Sequence, residues 1–538
     1  FNEWWERDLT SWVRRDRNHP SLIIWGIGNE VYDTVFDRGL EITKMLHHAV
    51  RKLDPRKNGY TAIGSNHITD ENAQRCSDVV DLSGYNYSEN LYDEHHEKYP
   101  DWCIFGSETS STVQSRGIYH FPADNRILTT EDLQCSSLFN CTTNWGAKDS
   151  YTAIRAHRNR KYVIGQYLWA GWDYIGEPTP YFTKNSFFGQ IDTAGFPKDS
   201  FYAYQAEWTD YKLKPMVHLL PYWDFNEGQL IDVMVTSNAP KVELFFQDKS
   251  MGSFDIDHEN GEELLARWQI PYEQGTLRAV AYDENGTMIA TDVQSSFGDS
   301  KQICLCPNKT ILRADGQDLI FLTITTKDDN GVYVANARNR MNIQVSGAGR
   351  LIGLDNGDST DFDQYKGTSR KLFSGKLLAI IAAKDYPGDV KIKVSSPSLE
   401  TAELTLQAIE ADAPAGISCH MENKPSPENS EIPVRKIELT RNSISHLDEK
   451  NTSAVVKAEI FPANATLRDI TFKALTREGV ESNCVHITQE GNTATLKALG
   501  DGYFRLFAFA NNGLDHPEVM SELEFDISGL GAATLDPY

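Results

Sequence analysis

The sequence predicts a multidomain protein in which a (β/α)8 TIM barrel, incomplete in this chain, is followed by immunoglobulin-like β-sandwich domains. Up to residue 212, short apolar strands alternate with helix patterns, which is typical of barrels built from parallel strands. From residue 213 onward, short alternating strands are separated by Gly, Asn and Asp turns, which favours antiparallel sandwiches. The length of 538 residues also favours several domains over one.

The first 212 residues carry five strand patterns, whereas a closed barrel of this type needs about eight strands. Tryptophans and a leucine at helical spacing predict a helix near residues 4–12, and a second helix is predicted over residues 38–53. The five strands are predicted near residues 22–27, 60–63, 79–83, 102–107 and 163–169. Because an open barrel exposes strand edges, we expect this chain to behave poorly in isolation.

The rest of the chain divides into three β-rich parts and a linker. Sandwich domains are predicted over residues 213–298 and 299–408. Residues 409–433 hold four prolines among many polar residues, which indicates an extended linker. Alternating strands return over residues 434–538, where stretches such as Ala494 to Gly502 resemble bacterial immunoglobulin-like modules. This last module either binds glycan or spaces the other domains apart.

The apolar run from Leu22 to Ile27 leads directly to Asn29 and Glu30. Such a run suits a strand covered on both faces, and its C-terminal end is where barrels of this kind carry catalytic groups. A carboxylate at that position is either a catalytic group or a structural one, held at a helix N-terminus or in an ion pair.

A second strand pattern, Trp102 to Ser107, ends at Glu108 and is followed by hydroxyl side chains. Because parallel strands of a barrel end at the same rim, we expect Glu30 and Glu108 to lie at one edge. Two carboxylates placed in this way favour glycosidic bond cleavage. One protonates the leaving oxygen, and the other attacks the anomeric carbon or activates water.

A third strand pattern, Val163 to Trp169, leads into Trp172, Asp173 and Tyr174. Aromatic faces pack on the apolar face of a pyranose, and neighbouring carboxylates and amides bind its hydroxyls. One of the two tryptophans is expected to belong to the core. We expect Trp169 to be the one that faces the site.

Three segments, taken in order, carry a family resemblance. They read RDRNHPSLIIWGIGNE (Arg15 to Glu30), FGSETSS (Phe105 to Ser111) and QYLWAGWDYIGEP (Gln166 to Pro178). They resemble glycoside hydrolase family 2, in its β-galactosidase branch. The resemblance implies a retaining enzyme that cleaves terminal β-D-galactosides, with Glu30 as acid/base and Glu108 as nucleophile.

The resemblance also implies three substrate-binding residues. Asn29 is expected to bind the sugar 2-hydroxyl, and Trp169 to line the glycone pocket. A tyrosine beside the nucleophile is expected in the GYNY stretch, where we choose Tyr87 over Tyr85. A hydrogen bond from Tyr87 to Glu108 would favour the charged form of the nucleophile.

The two carboxyl groups of a retaining pair stand about 5 to 5.5 Å apart. At that separation each charge makes ionisation of the other group more costly. We therefore expect Glu30 to be protonated in the resting enzyme and Glu108 to be ionised. When the sugar is transferred, Glu30 loses its proton and can then act as a base toward water.

The same family contains glucuronidases, which the resemblance associates with an Asn-x-Lys pair that captures the substrate carboxylate. In this chain Ser186 and Phe188 stand at those two positions, so a neutral β-galactoside is favoured. Lys184 and Asn185 lie nearby, and an alignment shift of one or two residues would restore the β-glucuronidase alternative.

The resemblance further implies which barrel parts this sequence holds. Phe1 falls in what resembles the helix before the fourth barrel strand, so the chain is expected to hold strands four to eight. Site groups from strands one to three, including ligands for a divalent cation, are not assignable, and the sequence itself shows no cofactor requirement. A non-catalytic carbohydrate-binding or scaffold fragment is the rival hypothesis.

Composition limits the partners. The net charge of −24 and a pI near 5.0 argue against nucleic acid. No apolar run is long enough to span a membrane, and the eight scattered cysteines lack metal-binding spacing. The expected partner is a β-galactoside or oligosaccharide substrate, and a homo-oligomer stays open. The appended sandwiches suggest a bacterial protein of the periplasm or the cell exterior.

Overall fold

The computed structural model describes residues 1–129, 134–259, 261–416, 418–419, 421–442, 444–477 and 479–534. The chain divides into two compact units. The first unit holds residues 1–112, 145–171 and 257–264, and the second holds the remainder. Among the described residues, no helix is both long and apolar enough to cross a membrane.

The first unit is built on a parallel β-sheet with helical connections, as the sequence predicts. The sheet order is β1–β2–β3–β4–β7, and each neighbouring pair is parallel. Its strands are β1 (Ile24–Asn29), β2 (Tyr60–Ser65), β3 (Leu82–Asn86), β4 (Ile104–Ser110) and β7 (Val163–Trp169). Its helices are α1 (Trp5–Asp16), α2 (Asp37–Leu53), α3 (Glu71–Ser77), α4 (Tyr92–Lys98) and α5 (Ser150–Arg158), with short 3-10 turns at Tyr32–Val35 and Glu89–Leu91.

Apolar stripes hold the first helices on the sheet. Leu9 and Val13 lie one turn apart on α1 and pack with Trp25 of β1 and Val50 of α2. The Trp25 indole donates a hydrogen bond to the Asp54 carboxylate at 3.1 Å, which satisfies its buried N–H. The packing of α1 and α2 therefore fixes β1 at one edge of the sheet.

The central strands are buried, and the edge strands are not. Almost every residue of β2, β3 and β4 is buried or half-buried. In β1 only Trp25 is buried, so the prediction of a strand covered on both faces is wrong there. The outer strand β7 exposes Ile164 and Tyr167 by more than half. A strand at a sheet edge has one neighbour instead of two, which explains the exposed fractions.

The second unit begins with short elements and continues into three β-sandwiches, whose strands pair mostly antiparallel. The short elements are β5 (Ile127–Leu128), β6 (Cys141–Thr142), β8 (Gly176–Thr179), β9 (Asn185–Ser186) and α6 (Asp199–Trp208). The first sandwich holds β10 (Val217–Leu220), β11 (Leu230–Ser237), β12 (Lys241–Phe246), β13 (Lys249–Asp255), β14 (Leu265–Pro271), β15 (Thr276–Tyr282) and β16 (Met288–Ser295). Its sheet orders are β10–β11–β14 and β13–β12–β15–β16.

The second sandwich has sheet orders β17–β19–β23–β21 and β18–β25–β24–β20–β22. Its strands are β17 (Gln302–Pro307), β18 (Ile311–Arg313), β19 (Leu319–Lys327), β20 (Arg340–Gly347), β21 (Gly349–Asp355), β22 (Ser369–Lys371), β23 (Leu377–Ala383), β24 (Gly388–Ser395) and β25 (Ala402–Ile409). Buried side chains of both sheets form a single hydrophobic core. The predicted class, a partial barrel followed by β-sandwiches, is therefore confirmed.

The third sandwich has sheet orders β26–β28–β31–β30 and β27–β33–β32–β29, again around one core. Its strands are β26 (Lys436–Arg441), β27 (His446–Leu447), β28 (Ser453–Phe461), β29 (Ile470–Leu475), β30 (Val485–Glu490), β31 (Thr493–Ala498), β32 (Gly502–Ala510) and β33 (Val519–Ile527). The segment that precedes β26 contacts the second sandwich, where Ser426 Oγ accepts hydrogen bonds from the Thr368 and Ser369 amides. Cys76, Cys103, Cys141, Cys304 and Cys306 are free thiols.

Candidate active site

The C-terminal ends of β1, β3 and β4 bring the two predicted carboxylates to the same edge of the sheet. Glu30 directly follows β1, and Glu108 lies near the end of β4. Asn86, the last residue of β3, pairs in register with Glu108. Glu30 and its neighbour Asn29 are exposed, whereas Glu108 is half-buried. The parallel arrangement thus places both acids where a ligand can reach them.

A network of side-chain hydrogen bonds connects the two carboxylates. Asn86 Nδ2 donates to Glu30 Oε1 at 3.0 Å and to Asn29 Oδ1 at 3.1 Å. Asn29 Nδ2 in turn donates to Glu108 Oε1 at 2.8 Å. Ser107 Oγ donates to Asn86 Oδ1 at 2.5 Å, so the Nδ2 end of the amide is the one that points toward the acids. Two asparagines therefore hold Glu30 and Glu108 in a defined mutual geometry.

Tyr87 is hydrogen-bonded to the second carboxylate oxygen of Glu108. Its hydroxyl donates to Glu108 Oε2 at 2.9 Å and accepts a hydrogen bond from Ser111 Oγ at 2.9 Å. Burial is the main cause that raises the pKa of Tyr87 above its ordinary value; Ser111 lowers this pKa, and the Glu108 charge raises it. Tyr87 therefore stays a neutral donor. The alternative residue, Tyr85, is fully buried and bonds His95 Nδ1 at 2.9 Å.

The backbone at this edge contains unusual conformations. Glu30, Tyr87 and Ser111 have φ angles of 49°, 56° and 52°, although none of them is glycine. Such left-handed conformations cost free energy in residues with a side chain, and they concentrate at functional sites. Here they turn the chain sharply at the strand ends and aim the side chains at one another.

Two glycine positions leave room for the network. A Cβ at Gly64 of β2 would lie 2.5 Å from Asn29 Oδ1 and 3.1 Å from Asn86 Oδ1. A Cβ at Gly84 of β3 would lie 2.6 Å from Ser107 Oγ. Asparagine and serine side chains therefore occupy the space that these two Cβ atoms would need.

Two tryptophans lie next to residues that neighbour or contact Glu108. Trp169, the last residue of β7, is half-buried and pairs in register with Ser110 of β4. Trp145 is 56% exposed, and its ring centroid lies 5.7 Å from that of Tyr87. The sequence did not predict four residues of this site: Trp145, Asn86, Ser107 and Ser111. The hydroxyl run after Glu108 was the only signal for Ser111, and Asn86 reads as an ordinary strand residue.

Asp173 has a structural role, so its interpretation as a ligand for sugar hydroxyls is wrong. Its carboxylate is buried and forms an ion pair with Lys198 Nζ at 2.7 Å. The Gly189 amide also donates to Asp173 Oδ1 at 2.8 Å. Trp172 next to it is 59% exposed.

Lys184, the cationic residue next to the two positions associated with binding a substrate carboxylate, also has a hydrogen-bond partner. Lys184 Nζ donates to the Asp361 carbonyl at 2.8 Å and lies 4.9 Å from the Tyr365 ring centroid. Burial is the largest cause that lowers the pKa of Lys184. Ser186 and Phe188 are buried. Within the described parts of the chain, no group of three or more His, Cys, Asp or Glu side chains is arranged to hold a metal ion.

Comparison with known proteins places these features in a family. Residues 4–210 match the TIM barrel domain of glycosyl hydrolases family 2, and residues 303–405 match C-terminal domain 5 of glycoside hydrolase family 2. Residues 228–290 match a domain of unknown function.

Individual relatives carry two different activity names. Beta-galactosidase BoGH2A of Bacteroides ovatus is 34% identical over 76% of this chain and 52% of its own length. A protein of Formosa agariphila named beta-glucuronidase is 24% identical over 75% of this chain and 39% of its own. A solved β-glycosidase from Bacteroides vulgatus is 28% identical, with a TM-score of 0.66 over 76% of this chain and 54% of its own. The chain spans about half the length of the first of these relatives.

Proposed function

Because the chain belongs to glycoside hydrolase family 2, as its barrel and C-terminal domains show, we propose that it carries the catalytic carboxylates of a retaining β-galactosidase. In this proposal Glu108 is the nucleophile and Glu30 is the acid/base. The observation that carries the proposal is the hydrogen-bonded connection from Glu30 through Asn86 and Asn29 to Glu108. A pair of acids held in this way is suited to double displacement.

The reaction proceeds in two steps. In the first, a Glu108 oxygen bonds to the anomeric carbon while the glycosidic C–O bond breaks, and Glu30 gives its proton to the leaving oxygen. In the second, Glu30 removes a proton from water, the water oxygen bonds to the anomeric carbon, and Glu108 leaves as a carboxylate. Both groups return to their starting protonation states.

Neighbouring side chains support these steps. Tyr87 and Asn29 each donate to one oxygen of Glu108, which orients the carboxylate and stabilises its charge before attack. Once the glycosyl-enzyme forms, one of these oxygens is bonded to the sugar, and Asn29 is free to bind the sugar 2-hydroxyl. Trp169 provides a flat apolar face for the glycone.

A neutral β-galactoside is the proposed substrate class. A relative named beta-galactosidase supports it, as does the commitment of Lys184 to the Asp361 carbonyl. Ser186 and Phe188 offer no charge to a substrate carboxylate. A β-glucuronide is the second candidate, because a relative named beta-glucuronidase matches a similar share of the chain.

The proposal is tested by assaying 4-nitrophenyl β-D-galactoside and the corresponding β-D-glucuronide with the chain and with Glu108→Gln. We expect galactoside turnover, and we expect the substitution to lower kcat by on the order of 10³-fold or more. Glu97→Gln, which changes an exposed carboxylate of the same unit, is the matched control and should retain activity.

A 2-deoxy-2-fluoro galactosyl donor gives a second measurement, because it traps the covalent intermediate. We expect peptide mass spectrometry to locate the sugar on Glu108. Preferred turnover of the glucuronide would contradict the sugar class. Absence of both turnover and adduct would contradict the catalytic proposal and favour a fragment without activity.

A further inference from the structure

A cavity of about 330 Å³ lies within the second unit, outside the residues described above. It is lined by the segment around residues 117–127, by residues 222–229 before β11, by the second sandwich and by the third sandwich. This volume is in the range of pockets that bind small molecules.

Aromatic rings form two parts of the cavity lining. On one side, Phe121 packs edge-on against Phe225 at 5.2 Å, and Phe225 stacks on Tyr222 at 5.3 Å. On the third sandwich, Phe507 and Phe509 stack at 5.7 Å. Flat apolar faces of this kind favour a ring-shaped ligand.

The charged lining residues are mostly cationic. The described cations are Arg126, Arg338, Arg435, Lys436, Arg477 and Arg505, and the described acids are Asp224, Glu518 and Glu522. Cations thus outnumber acids in the lining, in a chain whose net charge is −24. Four of these cations are ion-paired: Arg338 with Glu518, Arg435 and Lys436 with Asp224, and Arg505 with Glu522. Such a site attracts an anion and discriminates against a neutral ligand of the same shape.

Arg505 is the buried cation with unused hydrogen-bonding capacity. Only 7% of the residue is exposed. Its Nη1 donates to the Phe121 carbonyl at 2.5 Å and to Glu522 Oε2 at 3.1 Å. Its buried Nε has no acceptor among the described residues. A buried donor without an acceptor costs free energy that a bound anion would recover.

The acid beside Arg505 is Glu522. Burial raises the pKa of Glu522 to about 7, while Arg505 lowers it. His516 adds another unused polar atom, because its Nδ1 is 2.9 Å from Asp515 Oδ1 and its buried Nε2 has no partner in the described part of the chain. Two buried nitrogens of lining residues, Arg505 Nε and His516 Nε2, therefore lack a hydrogen-bond partner in the described part of the chain.

We propose that this cavity binds a ring-shaped carboxylate, with its ring on the aromatic faces and its carboxylate on Arg505. A planar guanidinium is well matched to a carboxylate, which favours this anion. Two kinds of compound carry both a ring and a carboxylate. One is a uronic acid, free or at the end of a glycan, and the other is an aromatic acid.

The test is isothermal titration calorimetry of the chain with D-galacturonate and with 4-hydroxybenzoate, using neutral D-galactose for comparison. We expect at least one acid to bind and to bind more tightly than galactose. Arg505→Lys keeps the charge beside Glu522 but removes Nε, and should weaken acid binding roughly ten-fold or more. Arg468→Lys, an exposed arginine of the same sandwich outside the cavity, is the matched control and should bind as the unmodified chain.

Phe509→Ala provides a test that does not depend on Arg505 and should also weaken binding. Binding of galacturonate alone identifies a uronic acid source, and binding of 4-hydroxybenzoate alone identifies an aromatic acid. The proposal is overturned if neither acid binds. It is equally overturned if folded Arg505→Lys and Phe509→Ala variants bind the acids as the unmodified chain does, since the acids would then occupy another site.

Discussion

Among single residues, Asn86 is the side chain that touches both halves of the carboxylate network. It donates to Glu30 and to Asn29 Oδ1, and Asn29 Nδ2 in turn donates to Glu108. Its own orientation is held by Ser107 Oγ. Asn86 is therefore a positioning residue in the proposed mechanism, and its removal should affect proton transfer by Glu30 more than attack by Glu108.

Asn86→Ala is expected to lower kcat/KM by roughly 10- to 100-fold for a galactoside with a poor leaving group, because that substrate needs protonation by Glu30. The loss should be smaller for the 4-nitrophenyl galactoside, whose leaving group needs little protonation. Steady-state kinetics on both substrates measure the difference. Asn90→Ala, at an exposed amide of the same unit, is the control. An equal loss on the two substrates would show that Asn86 does not act through Glu30.

Tyr87→Phe removes one donor to Glu108 and leaves the ring in place. Because the hydroxyl also accepts from Ser111, the substitution removes a hydrogen-bond partner from Glu108 Oε2 and from Ser111 Oγ. We expect kcat to fall by roughly 10- to 100-fold, in line with loss of a hydrogen bond to a charged group. Thermal unfolding should change little. Tyr60→Phe, at a residue that is 59% exposed on β2, is the control; unchanged kcat in Tyr87→Phe would contradict the proposed role.

At the scale of elements, the central strands shape the site even where they contribute no side chain. Gly64 of β2 lies under Asn29 and Asn86, and a methyl group there has no room. Gly64→Ala is expected to lower kcat/KM by roughly ten-fold or more by displacing both amides. Gly26→Ala on the neighbouring β1 is a matched control, because a Cβ there meets nothing within 4 Å. Equal activity of the two variants would argue against a tightly held network.

Sequence patterns predicted the five strands of the first unit, but not how the side chains meet. Except in β7, the strands end two or three residues beyond the predicted ends. The pattern over residues 163–169 matches β7, and the predictions of Glu30 and Glu108 at strand ends follow from the apolar runs before them. Periodicity carries no information on which side chains converge, so Asn86 was missed. The Asp173 error has a similar cause, because its partner Lys198 is 25 residues away along the chain.

The burial of the strands was also only partly predictable, because it depends on the order of the strands in the sheet. An apolar run indicates that a strand can be buried, but its neighbours in the sheet decide whether it is. Strands β2 to β4 have neighbours on both sides and are buried, whereas β1 has a neighbour only on one side and is exposed in spite of its apolar sequence.

At the scale of the whole chain, the open edges of the parallel sheet are expected to control solution behaviour. Both β1 and β7 lack an outer neighbour among the described residues, and β7 exposes Ile164 and Tyr167. Exposed apolar strand edges promote pairing between copies, even though the net charge of −24 opposes association. We therefore expect residues 1–538 alone to self-associate as concentration rises and more strongly as salt screens the charge.

Ile164→Lys tests this expectation, because a charged side chain on an edge strand disfavours pairing. Light scattering on a sizing column, at several concentrations and salt levels, should show a lower mean mass for this variant than for the unmodified chain. Phe362→Lys is the matched control, since Phe362 is 68% exposed but lies in a loop of the second unit. If the unmodified chain stays monomeric under all conditions, the edges do not associate. If Phe362→Lys lowers the mass as much as Ile164→Lys does, association depends on net charge instead of on the β7 edge.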